Sequence, residues 1–146
     1  MVAYWDASPF AVGVSIQTRP DAIWKTAGMQ YDRATTIVTF DDPIEALVHR
    51  ESAGAPMVLK FLPGQMDLRG WHVLFVNDCL PVVLALRKGS HSTRLQTDAE
   101  EVTLGLLEAG AKGSFLHIPG QRWWPRAPTE PLRNAPRRCW DLTARG

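Results

Sequence analysis

The stretch "WHVLFVND" at residues 71–78 restricts the possible folds more than any other part of this chain. Its apolar run is continuous and ends on the polar pair Asn77-Asp78, which predicts a buried strand. "CLPVVLALRKG" follows at once and predicts a short helix, with Pro81 in its first turn and Gly89 at its C-terminal end. A buried strand that feeds directly into a helix implies a central sheet with helices packed on it.

The flanking segments extend that picture. Residues 2–17 predict two strands broken at Ala7-Ser8-Pro9, with Gly13 permitting close backbone approach in the second. Thr18 to Asp21 reads as a turn. A third strand lies either near Ile23–Gly28 or at Thr35–Phe40, where the β-branched "TTIVTF" is the stronger candidate. After "DDP" at 41–43, apolar spacing at Ile44, Leu47, Val48, Met57, Leu59 and Leu62 predicts helix over 44–62. Gly54 and Pro56 predict a kink there, or two short helices. Residues 92–109 predict the best helix, capped by Ser92, with Leu95, Ala99, Val102, Leu106 and Leu107 along one face. "GSFLHIPG" predicts a short strand ended by Pro119-Gly120. Residues 121–136 predict an irregular Pro-, Trp- and Arg-rich loop, and "RRCWDLTARG" a terminal helical turn. The expected class is α/β, as one domain over residues 1–146.

Composition excludes several function classes. With 45% hydrophobic and 21% charged residues the chain is globular material. A net charge of +1 excludes a strongly basic coat but not a local basic patch. Cys79 and Cys139 are far apart, without the spacing of a zinc site or a disulfide framework. No apolar run approaches the about 20 residues that span a bilayer. No signal peptide opens the chain, so an intracellular setting, cytoplasmic or nuclear, is expected, without membrane attachment. Met1 leads straight into a strand-like run, as in a domain excised from a longer polyprotein.

Asp6 sits in apolar company, among Val2, Ala3, Tyr4, Trp5, Phe10, Val12, Val14 and Ile16. A carboxylate there is costly unless a cation compensates it. Asp78 ends the strongest strand, where ligands of α/β sheets often sit. Glu51 lies in the helical segment between them, and Asp141 opens the last helical turn. One acid from each of these elements would converge over a sheet. Like charges at about 4 Å repel by about 4 kcal/mol per pair at an effective dielectric of about 20, so such a cluster needs divalent cations. Carboxylate-only ligation suits Mg²⁺ or Mn²⁺. Each acid also has a simpler role open to it: Asp6 as a turn residue, Asp78 as a helix cap, Glu51 as a solvated face charge, Asp141 as a helix N-terminal charge. Glu45 is an alternative to Glu51, while Asp41, Asp42 and Asp67 read as loop residues.

These residues resemble a known family. "DASPFAVGVSI" resembles the opening strands of the ribonuclease H domain of retroelement reverse transcriptases. "FVNDCLPVVLALRKGSHSTRLQ" resembles that family's second acidic strand end and following helix, in a form similar to DIRS-like and related algal or protist retroelements. "LHIPG" resembles the His-x-Pro-Gly strand, and "CWDLTAR" the terminal stretch that carries the last acid. The resemblance implies a mixed five-stranded central sheet flanked by helices, the ribonuclease H-like fold. It implies Asp6, Glu51, Asp78 and Asp141 as catalytic, metal-binding acids for two Mg²⁺ ions, with Mn²⁺ as a substitute. It further implies cleavage of the RNA strand of RNA–DNA hybrids, beside a reverse transcriptase domain in the same polyprotein. Three departures stand out: Pro56 one turn past Glu51, the order Asn77-Asp78 in place of Asp-Asn, and the long Pro-rich interval from Gly120 to Asp141.

Substrate grip is expected from two places. Arg122, Trp123, Trp124 and Arg126 combine phosphate-binding guanidinium groups with indoles that stack on bases. Arg87, Lys88 and Ser90 follow the Asp78 helix. His117 reads as a buried strand histidine, Cys79 as a small core residue, and Trp5, Trp24, Trp71 and Trp140 as core or subunit-contact aromatics. Two rival readings remain at this point. One is an inactive ribonuclease H-like nucleic-acid-binding or structural module, the other a nuclease of the same superfamily that acts on DNA.

Overall fold

A computed structural model of the chain describes residues 1–7, 11–30 and 43–119. Its strands are β1 (Val2–Ala7), β2 (Ala11–Gln17), β3 (Lys25–Gln30), β4 (His72–Asn77) and β5 (Lys112–His117). Its helices are α1 (Pro43–Phe61), α2 (Leu80–Lys88) and α3 (Thr93–Ala109), with a 3₁₀ turn at Leu62–Gly64. The strands form one sheet in the order β3-β2-β1-β4-β5. β1, β2 and β3 run antiparallel in sequence, whereas β4 is parallel to β1 and β5 is parallel to β4. The mixed five-stranded sheet expected from the sequence is therefore present. Because β1 and β4 are parallel neighbours, their C-terminal ends leave the sheet on the same side, which sets Asp6 beside Asp78.

Period-2 alternation divides the sheet into two faces. Ala3 and Trp5 of β1, Val12, Val14 and Ile16 of β2, and Val73 and Phe75 of β4 join Ala55, Val58, Leu59, Val82, Val102 and Leu106 of the helices in the main core. Trp5 meets Phe75 edge-on at 6.3 Å, and Phe75 stacks on Phe115 at 5.3 Å. On the opposite face Val2, Tyr4, Leu74 and Val76 form a smaller cluster with Trp24, Leu116 and Ile118. Among the described residues no helix is long and apolar enough to cross a membrane.

The third strand is Lys25–Gln30, near the weaker of the two sequence candidates; residues 35–40 lie outside the described set. α3 starts as expected, with the Ser92 side chain accepting from the Leu95 amide, and ends at Gly110, whose φ of 67° suits glycine. Leu47 and Leu107, expected on buried faces, are instead exposed.

The alternative of two short helices over this segment does not occur. The helix runs unbroken through Gly54 and Pro56. Proline withholds one amide from the ladder, but that loss is local, and packing on both sides keeps the helix continuous through it. Pro56 is itself buried. Ser52 donates to Asp98 at 2.6 Å, which ties α1 to α3. Gly54 is the point where α1 lies closest to the sheet. A Cβ there would fall 2.7 Å from Trp5 Cδ1 and 3.3 Å from Val12 Cγ1. Both neighbours are fully buried and have no room to retreat. Gly54→Ala should therefore lower stability by about 1–3 kcal/mol in urea unfolding, although alanine is the better helix former. A variant more stable than the parent would show that this contact yields.

Candidate metal centre

Asp6 is the next-to-last residue of β1, exposed, and paired in register with Gly13. Asp78 follows β4 directly and is half-buried. Glu51 lies near the middle of α1 and is only 2% exposed. One carboxylate oxygen from each of the three comes within 4.8 Å of the other two. Three acids far apart in sequence thus meet where the parallel strand ends and α1 come together.

Glu51 is held from several directions. The Trp5 indole Nε1 donates to the Glu51 carbonyl oxygen at 2.9 Å. The Ala7 amide donates to Glu51 Oε1 at 3.1 Å, and Asn77 Nδ2 donates to Oε2 at 2.9 Å. The close approach at Gly54 seats α1 so that these bonds can form.

Burial pushes the Glu51 carboxyl up to about 8 from its ordinary 4.5. The bonds from Asn77 and Ala7 oppose that shift, while the charge of Asp6 and a hydrogen bond to Asp6 add to it. Burial also raises Asp78, with the Asp6 charge adding and His117 opposing. Tyr4 is pushed up by burial and then by Asp6, Asp78 and Glu51, so its hydroxyl stays neutral and cannot act as a base. The ion pairs Arg19–Asp21 and Arg69–Asp67 are exposed, and no described lysine or arginine pairs with the three acids. An oxygen-only cluster that resists full ionisation, with no described lysine or arginine paired to it, suits a hard divalent cation.

The other sequence candidates are placed as follows. Glu51 occupies the cluster; Glu45 lies earlier in α1 and its side chain is outside the described set. Asp67 is exposed and bound to Arg69, a loop residue as expected. Asp141, Arg122, Trp123, Trp124 and Arg126 lie outside the described residues. Arg87 and Lys88 are exposed in the last turn of α2, about 13 Å along the helix from its Asp78 end. Ser90 Oγ accepts from the Ser92 amide at 3.1 Å, and the Ser90 amide donates to Gln96 Oε1 at 2.9 Å. Arg87 and Lys88 thus stand at the end of α2 away from Asp78.

Cys79 is half-buried, and burial pushes its thiol up to about 11, which fits a packing residue and not a nucleophile. His117 is half-buried on β5, and its Nε2 donates to the Asp78 carbonyl oxygen at 3.1 Å. The residue that sequence reasoning passed over is Asn77. It is completely buried and bonded directly to Glu51. A signal for it exists in the strand period: position 77 shares the helix-facing side of β4 with Val73 and Phe75.

No protein-family model and no curated protein matches this chain. Solved structures do. RNase H1 from the halophilic archaeon Halobacterium salinarum NRC-1 matches with a TM-score of 0.60 at 15% identity, over 83% of this chain and 89% of that one. LC11-RNase H1, solved in complex with an RNA/DNA hybrid, matches with a TM-score of 0.53 at 14% identity, over 82% and 86%. The fold is ribonuclease H-like.

Proposed function

We propose that this chain is a divalent-metal-dependent endoribonuclease that cuts the RNA strand of RNA–DNA hybrids. The observation that carries the proposal is the meeting of Asp6, Glu51 and Asp78 within 4.8 Å at the strand ends of a ribonuclease H-like sheet. One structural neighbour was solved with an RNA/DNA hybrid, which supports the same substrate class here.

Asp6, Glu51 and Asp78 would hold Mg²⁺, with Asp141 as the fourth ligand in the family pattern and Mn²⁺ as a substitute. Two such ions would lower the pKa of the attacking water and stabilise charge on the phosphate and the leaving 3′ oxygen. The chain's own part is placement. Glu51 stays fixed by Asn77 and Ala7, and Asp6 is exposed, within reach of a large substrate. The 2′-hydroxyl is the group that separates RNA from DNA at such a site, and in the family pattern Glu51 meets it. Arg87, Lys88 and Ser90, together with Arg122, Trp123, Trp124 and Arg126, would supply phosphate and base contacts.

The sequence resemblance carries the finer reading: a ribonuclease H domain of a retroelement reverse transcriptase, acting inside the cell in cytoplasm or nucleus. Two features of the sequence favour the rival reading of an inactive module, Pro56 and the long Pro-rich C-terminal interval; α1 continues through Pro56 with Glu51 in the cluster, while the interval lies outside the described residues.

The test is cleavage of end-labelled RNA–DNA hybrid, single-stranded RNA, duplex RNA and duplex DNA, with millimolar Mg²⁺ or with EDTA. Cutting of the hybrid alone, on the RNA strand and only with metal, is expected. Cutting of duplex DNA in preference would assign the DNA-directed nuclease. No cutting of any substrate by a protein that binds Mn²⁺ and hybrid would favour the inactive module.

A further inference from the structure

We infer that Asn77 is a positioning residue that ties together the three chain segments carrying the acids; the inference rests on the metal reading above. Asn77 is 0% exposed. Its Nδ2 donates to the Trp5 carbonyl oxygen at 2.9 Å and to Glu51 Oε2 at 2.9 Å. Its Oδ1 accepts from the Cys79 amide at 2.8 Å. Trp5 immediately precedes Asp6, and Asn77 and Cys79 flank Asp78. One side chain therefore touches β1 beside the first acid, the second acid itself, and the loop on the far side of the third.

The partners leave no freedom in how the amide points. The Trp5 carbonyl and the Glu51 carboxylate are acceptors and face the NH₂ group, whereas the Cys79 amide is a donor and faces the oxygen. Both Nδ2 protons are used in a fully buried site, where losing a partner is costly. An aspartate here would turn a carboxylate towards two acceptors. This accounts for the order Asn77-Asp78: position 77 points under the cluster and needs a donor, while position 78 leaves the sheet and presents its carboxylate. With Ala7 on Oε1 and Asn77 on Oε2, each Glu51 oxygen is oriented and keeps acceptor capacity for a cation. Groups behind a ligand of this kind typically alter metal affinity by about 10–100-fold when removed.

The experiment is a double-mutant cycle read by Mn²⁺ binding, using electron paramagnetic resonance of free Mn²⁺, well below each variant's melting temperature. Asn77→Ala is expected to weaken Mn²⁺ binding about tenfold in the parent and less than about twofold in an E51Q background, because Asn77 acts through Glu51. An equal loss in both backgrounds, or no loss in the parent, would overturn the inference. If Asn77→Ala does not fold, ¹⁵N-labelled unmodified protein decides. The Asn77 side-chain amide protons should be protected from exchange and should shift on Mg²⁺ addition in step with metal occupancy. Rapid exchange, or shifts absent at saturating Mg²⁺, would overturn it equally. A parent that binds no Mn²⁺ contradicts this inference as well, but it does so by removing the metal reading; a parent that binds metal normally while Asn77→Ala behaves alike removes the Asn77 inference alone.

Discussion

Asp78→Asn is expected to reduce Mg²⁺-dependent cleavage of the hybrid by on the order of 10³-fold or more, while hybrid affinity stays within about threefold of the parent. The substitution keeps the shape of the side chain and removes its charge. Asp78 is half-buried and already disfavours ionisation, because of its burial and because of Asp6. Neutral asparagine relieves that repulsion, so the metal-free variant should be at least as stable as the parent. Affinity for a polyanion comes chiefly from cationic groups and from release of counterions, and removal of an acid does not weaken either. The pair of measurements separates roles: a ligand changes the rate and spares binding, whereas a substrate contact changes both. A variant that cuts as fast as the parent would show that Asp78 holds no metal.

The second large expectation concerns pH. Without divalent metal, the Glu51 carboxyl is held up to about 8 in the folded chain, against an ordinary 4.5. The folded state then binds this proton more tightly than the unfolded state. Below pH 4.5 both states are protonated and there is no penalty. Between pH 4.5 and about 8 the metal-free protein should lose stability as pH rises, and above that range the loss should level off. The total is on the order of a few kcal/mol, because each tenfold difference in proton affinity between the two states is worth about 1.4 kcal/mol. Asp78 is also raised and acts in the same direction. Metal binding requires the deprotonated carboxylate, so Mg²⁺ or Mn²⁺ should flatten the slope, and binding at pH 7 should release a proton. Melting curves from pH 5 to 9 in EDTA and in Mg²⁺, with E51Q beside the parent, test this. E51Q should lose most of the EDTA slope. An unchanged slope in E51Q, or metal-free stability that rises across this window, would contradict the assignment.

The elements that could be read from sequence are those whose signal is local. β4 is announced by its own apolar run, α2 by Pro81 and Gly89, and α3 by Ser92 at its start and its apolar stripe. Asp6 is legible as a carboxylate in apolar company, and Asp78 because it marks the end of the strongest strand, a position the chain defines within a few residues. Local reasoning is weaker where tertiary contacts decide. β3 has the sequence "KTAGMQ", with Thr26 its only β-branched residue, and becomes a strand because β2 offers a complete antiparallel edge to pair with. Gly54 and Pro56 break isolated helices, yet in α1 the first lets the helix approach Trp5 and the second lies inside a helix anchored on both sides. Leu107 has helical spacing with the buried stripe but falls beyond its edge. Asn77 was visible only as a strand-end polar residue, because its role depends on a carboxylate 26 positions earlier in sequence.

The most direct test of the metal centre is a crystal of this chain soaked in millimolar Mn²⁺, with diffraction recorded at the manganese absorption edge. An anomalous peak is expected about 2.2 Å from carboxylate oxygens of Asp6, Glu51 and Asp78. An empty centre at that concentration, with the three carboxylates turned away from one another, would contradict it.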